Sequence, residues 1–144
     1  MLYFAAVFGQ NSSHMIIGIG ADLAEVARIR EAIERHGERF LQRVFTPLEI
    51  DYCRGHRNAP ERFAARFAAK EALMKALGTG WRRGIRWRDI EVVNAASGQP
   101  VLNLCGKAQE IFHALGGVRL HLSLTHTDAY ALAQVVIEGV APGN

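Results

Sequence analysis

The amino-acid sequence predicts an α+β fold, a single domain in which a mainly antiparallel sheet packs against helices. Three observations predict it. The 144 residues suffice for one domain with a proper core but not comfortably for two. Segments with helical periodicity are interspersed with short apolar or alternating segments that favour strands. No internal repeat of roughly 20–50 residues and no low-complexity tract divides the chain.

Composition narrows the class of protein. The chain is 49% hydrophobic and 22% charged, as is ordinary for a soluble globular domain. Its formal charge of +3 suggests an acidic partner or a phosphorylated ligand, but it is too small to indicate nucleic acid. Cys53 and Cys105 lack metal-ligand spacing, so we expect reduced thiols and a cytoplasmic protein. No apolar run approaches the ~20 residues of a membrane span.

The first fourteen residues stand apart from the rest. They contain a short apolar run without a basic region before it, which argues against a signal peptide. Their Ser-Ser-His-Met end resembles a cloning scar, and Met15 is a natural start. We therefore interpret residues 1–14 as an expression leader or a disordered extension and assign the domain to residues 15–144.

The domain begins with a predicted strand and a helix. Residues 15–20 form a short apolar run that ends in glycine, which is typical of a buried strand. Asp22 follows at once, where it could serve a ligand site or cap the next helix. Residues 24–36 then have the periodicity of a helix that ends at Gly37.

A second helical region leads to the centre of the chain. Residues 39–45 are predicted to be a helical or irregular link. Thr46, with proline next and Glu49 three residues on, is a capping box that starts a short helix through about residue 54. Residues 55–60 are predicted to form a loop.

The segment 62–80 is the one around which the chain is organised. It is rich in alanine and has no glycine or proline before Gly78, so it predicts a helix. The core-facing stripe consists of Phe63, Phe67, Met74 and Leu77. The adjacent stripe consists of Ala64, Ala68, Glu71 and Lys75. Its small residues would leave room for a bulky group to lie against the helix. Its charges are either a solvated ion pair or part of a metal-bridged phosphate site next to the Gly-Thr-Gly turn.

The remaining third of the chain predicts mostly strands. Residues 90–94 and 101–104 form a hairpin, and residues 106–115 a helix stopped by two glycines. Residues 118–124 alternate between apolar and polar side chains, and residues 130–138 return as the last strand.

Two polar segments leave alternatives open. The basic, aromatic loop 81–89 could stack nucleic-acid bases, but a surface loop with its tryptophans against the core is the favoured interpretation. His126 lies in the turn before the last strand. It could be a catalytic base or a phosphate donor, or simply an exposed turn histidine.

Three segments together resemble the phosphopantetheinyl transferases. Residues 18–30 (GIGADLAEVARIR) are similar to their first signature, and residues 62–80 (RFAARFAAKEALMKALGTG) to their third. Residues 122–138 (LSLTHTDAYALAQVVIE) are similar to the closing strand pair of the small bacterial subgroup, the holo-[acyl-carrier-protein] synthases. The resemblance extends from Met15 to about Glu138, and the K-E-A-x-x-K-A run is its most specific part.

The resemblance implies a reaction. These enzymes use Mg²⁺ and move the phosphopantetheine arm of coenzyme A onto a serine of an acidic apo acyl carrier protein, for fatty acid biosynthesis. The small subgroup typically forms homotrimers with active sites between subunits. Neither a membrane nor nucleic acid is expected as a partner. A binding module for coenzyme A or a nucleotide, without catalysis, is the alternative.

The resemblance also implies residue roles. Asp22 and Glu71 match the family's metal-binding acids, and Glu71 and Lys75 its catalytic pair. Arg28 matches a position that docks the carrier protein. The residues implied to contact coenzyme A are Arg66, Lys70, Gly78, Gly80, Ser123, Thr125 and His126. One departure is the closing loop, where Ser123-Leu124-Thr125-His126 stands in place of the common Ser-x-Ser-His.

Overall fold

A computed structural model describes residues 13–80 and 83–140 of the chain. The first half contains β1 (His14–Glu25), α1 (Val26–His36), α2 (Glu38–Val44), α3 (Pro47–Arg54) and α4 (Ala59–Ala76). The second half contains β2 (Ile90–Asn94), β3 (Pro100–Leu104), α5 (Gly106–Ala114), β4 (Gly117–His126) and β5 (Tyr130–Val140). A short 3₁₀ turn at Trp87–Asp89 precedes β2.

The strands form two antiparallel units. One is a three-stranded sheet with the order β1-β5-β4, and the other is the hairpin β2-β3. The predicted α+β class is confirmed. Apart from residues 13 and 14, the predicted leader lies outside the described residues, and His14 already begins β1.

The first strand is longer than the sequence suggested. It pairs with β5 as far as Glu25, and Asp22 lies opposite Ala133 within the sheet. Asp22 therefore neither follows the strand nor caps α1, whose N-cap residue is Glu25. The prediction failed because polar residues ended the apolar run, whereas pairing with β5 continues through them.

The central helix α4 packs directly on this sheet. Its sheet-facing side is made of buried alanines: Ala64, Ala65, Ala68, Ala69, Ala72 and Ala76. A Cβ atom on Gly18 would lie 2.4 Å from the carbonyl oxygen of Ala76, and one on Gly20 only 1.9 Å from that of Ala72. The small residues thus let the helix and strand backbones touch. The expectation that Ala64 and Ala68 leave room for a ligand is wrong, because both side chains are fully buried.

The helices before α4 follow their local sequence. Thr46 caps α3, and both bonds of the predicted capping box are formed with Glu49. The predicted link before it is helical, as α2. Helix α4 starts at Ala59 with proline in its first turn, so the predicted loop is shorter.

The second half of the chain agrees closely with its pattern. The hairpin, α5 and the last two strands all form where the sequence predicts them. The ring of Trp87 packs against Phe67 at a centroid distance of 5.0 Å, as the surface-loop interpretation expects. Trp81 and Arg82 lie outside the described residues. Among the helices that the structure describes, none is long and apolar enough to cross a membrane.

Candidate active site

A cleft of about 450 Å³ opens where β1, α1 and α4 meet. Its polar side chains are Asp22 and Glu25 from β1, Arg28 from α1 and Glu71 from α4. Ile29, Phe40 and Phe67 are among its apolar walls. The two acids that the sequence singled out, more than forty residues apart, therefore line the same cavity.

Asp22 and Lys75 form a specific pair beside this cleft. The Lys75 ammonium donates to Asp22 Oδ1 at 3.1 Å and to the carbonyl oxygen of Ala21 at 3.0 Å. The Asp22 side chain is mostly buried, whereas about half of the Lys75 side chain is exposed. Lys75 thus places a positive charge at the edge of the site, where an anionic ligand could reach it.

The donors in the cleft suit a hard divalent cation. Mg²⁺ prefers oxygen ligands and commonly takes one or two carboxylates, with water and phosphate oxygens filling the other positions. Asp22 and Glu71 supply two carboxylates. The described residues contain no cluster of three or more His, Cys, Asp or Glu side chains that could hold a metal alone. The site therefore fits an ion that phosphate groups help to coordinate, and it does not fit a structural zinc centre.

Lys70 lies elsewhere and is fully buried. Its ammonium donates to the carbonyl oxygen of Val44 at 2.8 Å, to Glu49 Oε1 at 2.7 Å and to the carbonyl oxygen of Trp87 at 3.2 Å. An ammonium has three N–H donors, and all three are used. This corrects the expectation that Lys70 contacts a phosphate, because neither a free donor nor an accessible surface remains.

Arg66 is also nearly buried, one turn before Lys70 on α4. Its guanidinium lies 4.2 Å from the centre of the Tyr52 ring, and its buried Nε has no hydrogen-bond partner among the described residues. Arg62 shares this surface and donates to the Tyr52 hydroxyl. Arg66 is separate from the Asp22–Glu71 cleft within one chain.

The glycines after α4 serve the end of the helix. Gly78 and Gly80 have φ values of 75° and 51°, in the left-handed region that glycine favours. Their amides donate to the carbonyl oxygens of Lys75 and Met74. The expectation was that these amides approach a ligand. The structure instead uses them to end the helix, and a Cβ at either position would meet no atom within 4 Å.

The remaining predicted residues lie on the exposed face of the sheet. Ser123 and Thr125 point outward from β4. The prediction that His126 lies in the turn is wrong, because β4 continues past Leu124 and His126 is its last residue, paired with Ala131. Leu132 lies beside Thr125, with Leu23 next to it on β1. None of the three predicted residues lines the cleft of its own chain.

Sequence reasoning missed Glu49 as part of the environment of α4. Glu49 is fully buried, accepts the bond from Lys70 and also accepts a bond from the backbone N–H of Val92. The capping box placed Glu49 at a helix start, where exposure is common. Nothing local indicated that a lysine twenty-one residues later would meet it.

Comparison with known proteins gives the family. The model of the 4'-phosphopantetheinyl transferase superfamily matches residues 18–135. Holo-[acyl-carrier-protein] synthases of Koribacter versatilis and Solibacter usitatus are 54% and 53% identical over 124 residues, which is 86% of this chain and 99% of each relative.

Solved structures agree with the sequence relatives. The Bacillus anthracis holo-(acyl-carrier-protein) synthase, in complex with CoA (3',5'-ADP), superposes with a TM-score of 0.72 at 36% identity, covering 87% of this chain and 98% of that one. The Helicobacter pylori enzyme, in complex with coenzyme A, has a TM-score of 0.73 at 30% identity, with 83% and 98% covered. The chain belongs to the 4'-phosphopantetheinyl transferase superfamily.

Proposed function

We propose that this protein transfers the 4'-phosphopantetheine group of coenzyme A to a serine of apo acyl carrier protein, in an Mg²⁺-dependent reaction that serves fatty acid biosynthesis in the cytoplasm. Relatives that match almost their whole length to this chain are holo-[acyl-carrier-protein] synthases. The observation that carries the proposal is the shared cleft. Asp22 and Glu71 line one cavity, and the Lys75 ammonium donates a hydrogen bond to Asp22.

The chemistry requires neutralisation of phosphate charge. The serine Oγ forms a bond to a phosphorus of the pyrophosphate, and the P–O bond to adenosine 3',5'-bisphosphate breaks. The serine proton passes to Glu71 or to water. Bound Mg²⁺ would offset the charge that grows on the leaving phosphate. Asp22 and Glu71 would hold the ion. Lys75, already at the edge of the site, would stabilise the same charge by a hydrogen bond from its ammonium.

Coenzyme A would extend beyond the cleft of one chain. Arg66 is the proposed contact for an adenosine-side phosphate. Because its side chain is nearly buried, its guanidinium would have to move away from the Tyr52 ring to reach that phosphate. Gly78 and Gly80 would shape the turn that follows α4, where the ligand would approach their bare Cα atoms rather than their amides. Ser123, Thr125 and His126 would contact the same coenzyme A from a neighbouring subunit.

A homotrimer would bring those residues into place. The outer face of the sheet exposes large apolar side chains, with Leu23 60% and Leu132 42% exposed on adjacent strands. Contiguous exposed apolar surface is typical of a protein interface. Leu132→Glu should therefore reduce the mass measured by light scattering from three chains to one. Leu48→Glu, on α3 and 63% exposed, is the matched control and should leave assembly unchanged.

The carrier protein would dock at the mouth of the cleft. Arg28 lines the cleft, its side chain is largely exposed, and its ion pair with Glu25 is loose at 3.7 Å. An acidic partner would be attracted to it chiefly through association rate and orientation. Arg28→Glu should raise KM for the carrier protein, whereas Arg35→Glu, at the far end of α1, should raise it less. Equal effects from both variants would mean that only general charge matters.

One experiment tests the activity itself. The protein is incubated with apo acyl carrier protein, coenzyme A and Mg²⁺, and mass spectrometry should find one added phosphopantetheine. Asp22→Asn and Glu71→Gln should each abolish transfer while keeping the fold by circular dichroism. Glu25→Gln, in the same cleft but without an assigned metal role, is the control. Coenzyme A binding without any transfer would favour a non-catalytic binding module, and full activity in either acid variant would refute the metal assignment.

A further inference from the structure

A buried charge network lies on a side of α4 next to the one that faces the cleft. Lys70 is 0% exposed, and its three N–H groups bond to the last residue of α2, to Glu49 of α3 and to the 3₁₀ turn before β2. The single side chain thus joins three separate segments to the central helix.

Glu49 is equally committed to the protein interior. Its Oε1 accepts from the Thr46 backbone N–H at 2.9 Å and from Lys70, and its Oε2 accepts from the Val92 backbone N–H at 2.9 Å. Thr46 in turn donates from its hydroxyl to Glu91 Oε2 at 2.6 Å. The Lys70–Glu49 pair therefore connects α4 to both α3 and β2 with every oxygen and N–H in use.

Such a pair is a poor device for stability alone. Taking two charges out of water costs energy that their attraction often fails to recover, and apolar pairs of similar size are commonly as stable. Burial accordingly lowers the pKa of the Lys70 ammonium, against the opposing effect of Glu49. What hydrogen bonds add, and apolar burial does not, is direction.

The other contacts of α4 are mostly apolar. Its small side consists of alanines, and its larger buried side chains, Phe63, Leu73 and Met74, pack in the core without hydrogen-bond direction. A rotation of α4 by ~15° would move a carboxylate ~5–6 Å from the helix axis by about 1.5 Å. Mg²⁺ requires near-ideal octahedral distances and tolerates little error of that size.

We infer that Lys70 is a positioning residue, whose bonds to Val44, Glu49 and Trp87 fix the rotation of α4 that presents Glu71 to the cleft. Glu71 follows Lys70 directly in sequence and lines the cleft on an adjacent side of the same helix. This inference rests on the proposed function, in which Glu71 holds the metal.

The test measures metal binding directly, without turnover. Mn²⁺ is titrated into the protein with coenzyme A but no carrier protein, and the loss of the free-ion EPR signal reports binding. Lys70→Met should weaken Mn²⁺ binding about tenfold, as losses of supporting residues around metal ligands do. It should also lower kcat with little change in KM for coenzyme A, whereas general loss of folded protein would not alter Mn²⁺ affinity per folded molecule.

Two further variants keep the result decisive. Ile111→Ala destabilises the buried side of α5 without touching the network and should keep wild-type Mn²⁺ affinity. The double variant Lys70→Met/Glu49→Met removes both charges, so no unpaired carboxylate is left buried. If Lys70→Met does not fold, the double variant should fold and show the same loss of Mn²⁺ binding.

The outcomes separate this inference from the proposed function. If Glu71→Gln loses Mn²⁺ but the folded Lys70 variants bind it as wild type does, the positioning inference alone is overturned. Equal weakening in Ile111→Ala would overturn it as well, as would failure of both Lys70 variants to fold. If Glu71→Gln itself binds Mn²⁺ normally, both the assignment of Glu71 as a metal ligand and the positioning inference are refuted.

Discussion

Replacing Gly20 by alanine tests whether the site depends on backbone contact between β1 and α4. Gly20 is buried in β1 at an ordinary strand conformation, so alanine brings no strain of its own. Its Cβ would, however, lie 1.9 Å from the Ala72 carbonyl oxygen and 2.7 Å from the Ala76 amide nitrogen. Both are main-chain atoms of a helix and cannot swing aside.

The size of the effect follows from that geometry. Ordinary van der Waals contact begins at 3.4 Å, so relief from 1.9 Å requires the helix and strand to separate by about 1.5 Å. Overpacking of a core commonly costs 1–3 kcal/mol, and we expect about 3 kcal/mol because backbone must move. For a domain of this size that corresponds to a fall of roughly 10 °C in Tm. Glu71 precedes Ala72, so metal affinity should fall with it.

The assay compares two glycine-to-alanine variants by thermal and urea unfolding and by Mn²⁺ binding. The control is Gly55→Ala at the end of α3, where a Cβ would lie 3.5 Å from its nearest neighbour and φ is −72°. That variant should be neutral or up to about 1 kcal/mol more stable, since alanine restricts the unfolded chain. If Gly20→Ala unfolds at the same temperature as Gly55→Ala, helix and strand do not touch as described.

Three further predictions concern features outside the cleft. Burial raises the pKa of the Cys53 thiol to about 12, whereas Cys105 is exposed. Iodoacetamide near pH 8 should therefore alkylate only Cys105 in the native protein, and both thiols after denaturation. Labelling of Cys53 in the native protein would contradict its burial. Thr46→Ala removes a helix cap and a hydrogen bond to Glu91 of β2, so it should lower the free energy of unfolding in urea by about 1–2 kcal/mol. A negligible change would argue against the capping box. The pKa of Glu138 is lowered chiefly by its hydrogen bond with His121, so the ionised carboxylate favours the folded state above the ordinary carboxyl range. That contribution is lost as pH falls through the lowered pKa. The Tm difference between wild type and Glu138→Gln should therefore become smaller as pH is lowered from roughly 6 to 3, and an increase would contradict this reasoning.

Much of the fold could be predicted because its determinants are local. The capping box at Thr46 and the alternation of residues 118–124 act within a few residues, and each formed the expected element. The end of β1 could not be predicted, because Asp22 stays in the strand through pairing with Ala133, more than a hundred residues away. Elements defined by local contacts were thus correct in type, and a boundary set by a distant strand was not.

The charges of α4 show the same limit at the site. Lys70 and Lys75 have the same chemistry and lie five residues apart, yet one is fully buried and the other half exposed. What separates them is Glu49 and two carbonyl oxygens that α2, α3 and the 3₁₀ turn bring to one point. A helical wheel shows on which face of α4 Lys70 lies, but it does not show which other segments pack against that face.

The two acids meet because two residues of a strand span nearly the same length as four residues of a helix. Two strand residues advance about 6.6 Å, and four helix residues about 6 Å. Gly18 accordingly contacts Ala76, and Gly20 contacts Ala72, so each step of two along β1 matches one of four back along α4. The next step pairs Asp22 with the helical turn that contains Ala68 and Glu71, and Asp22 and Glu71 do line one cleft. The glycines of the first motif and the alanines of the helix are therefore what bring the carboxylates together, although none of them carries chemistry.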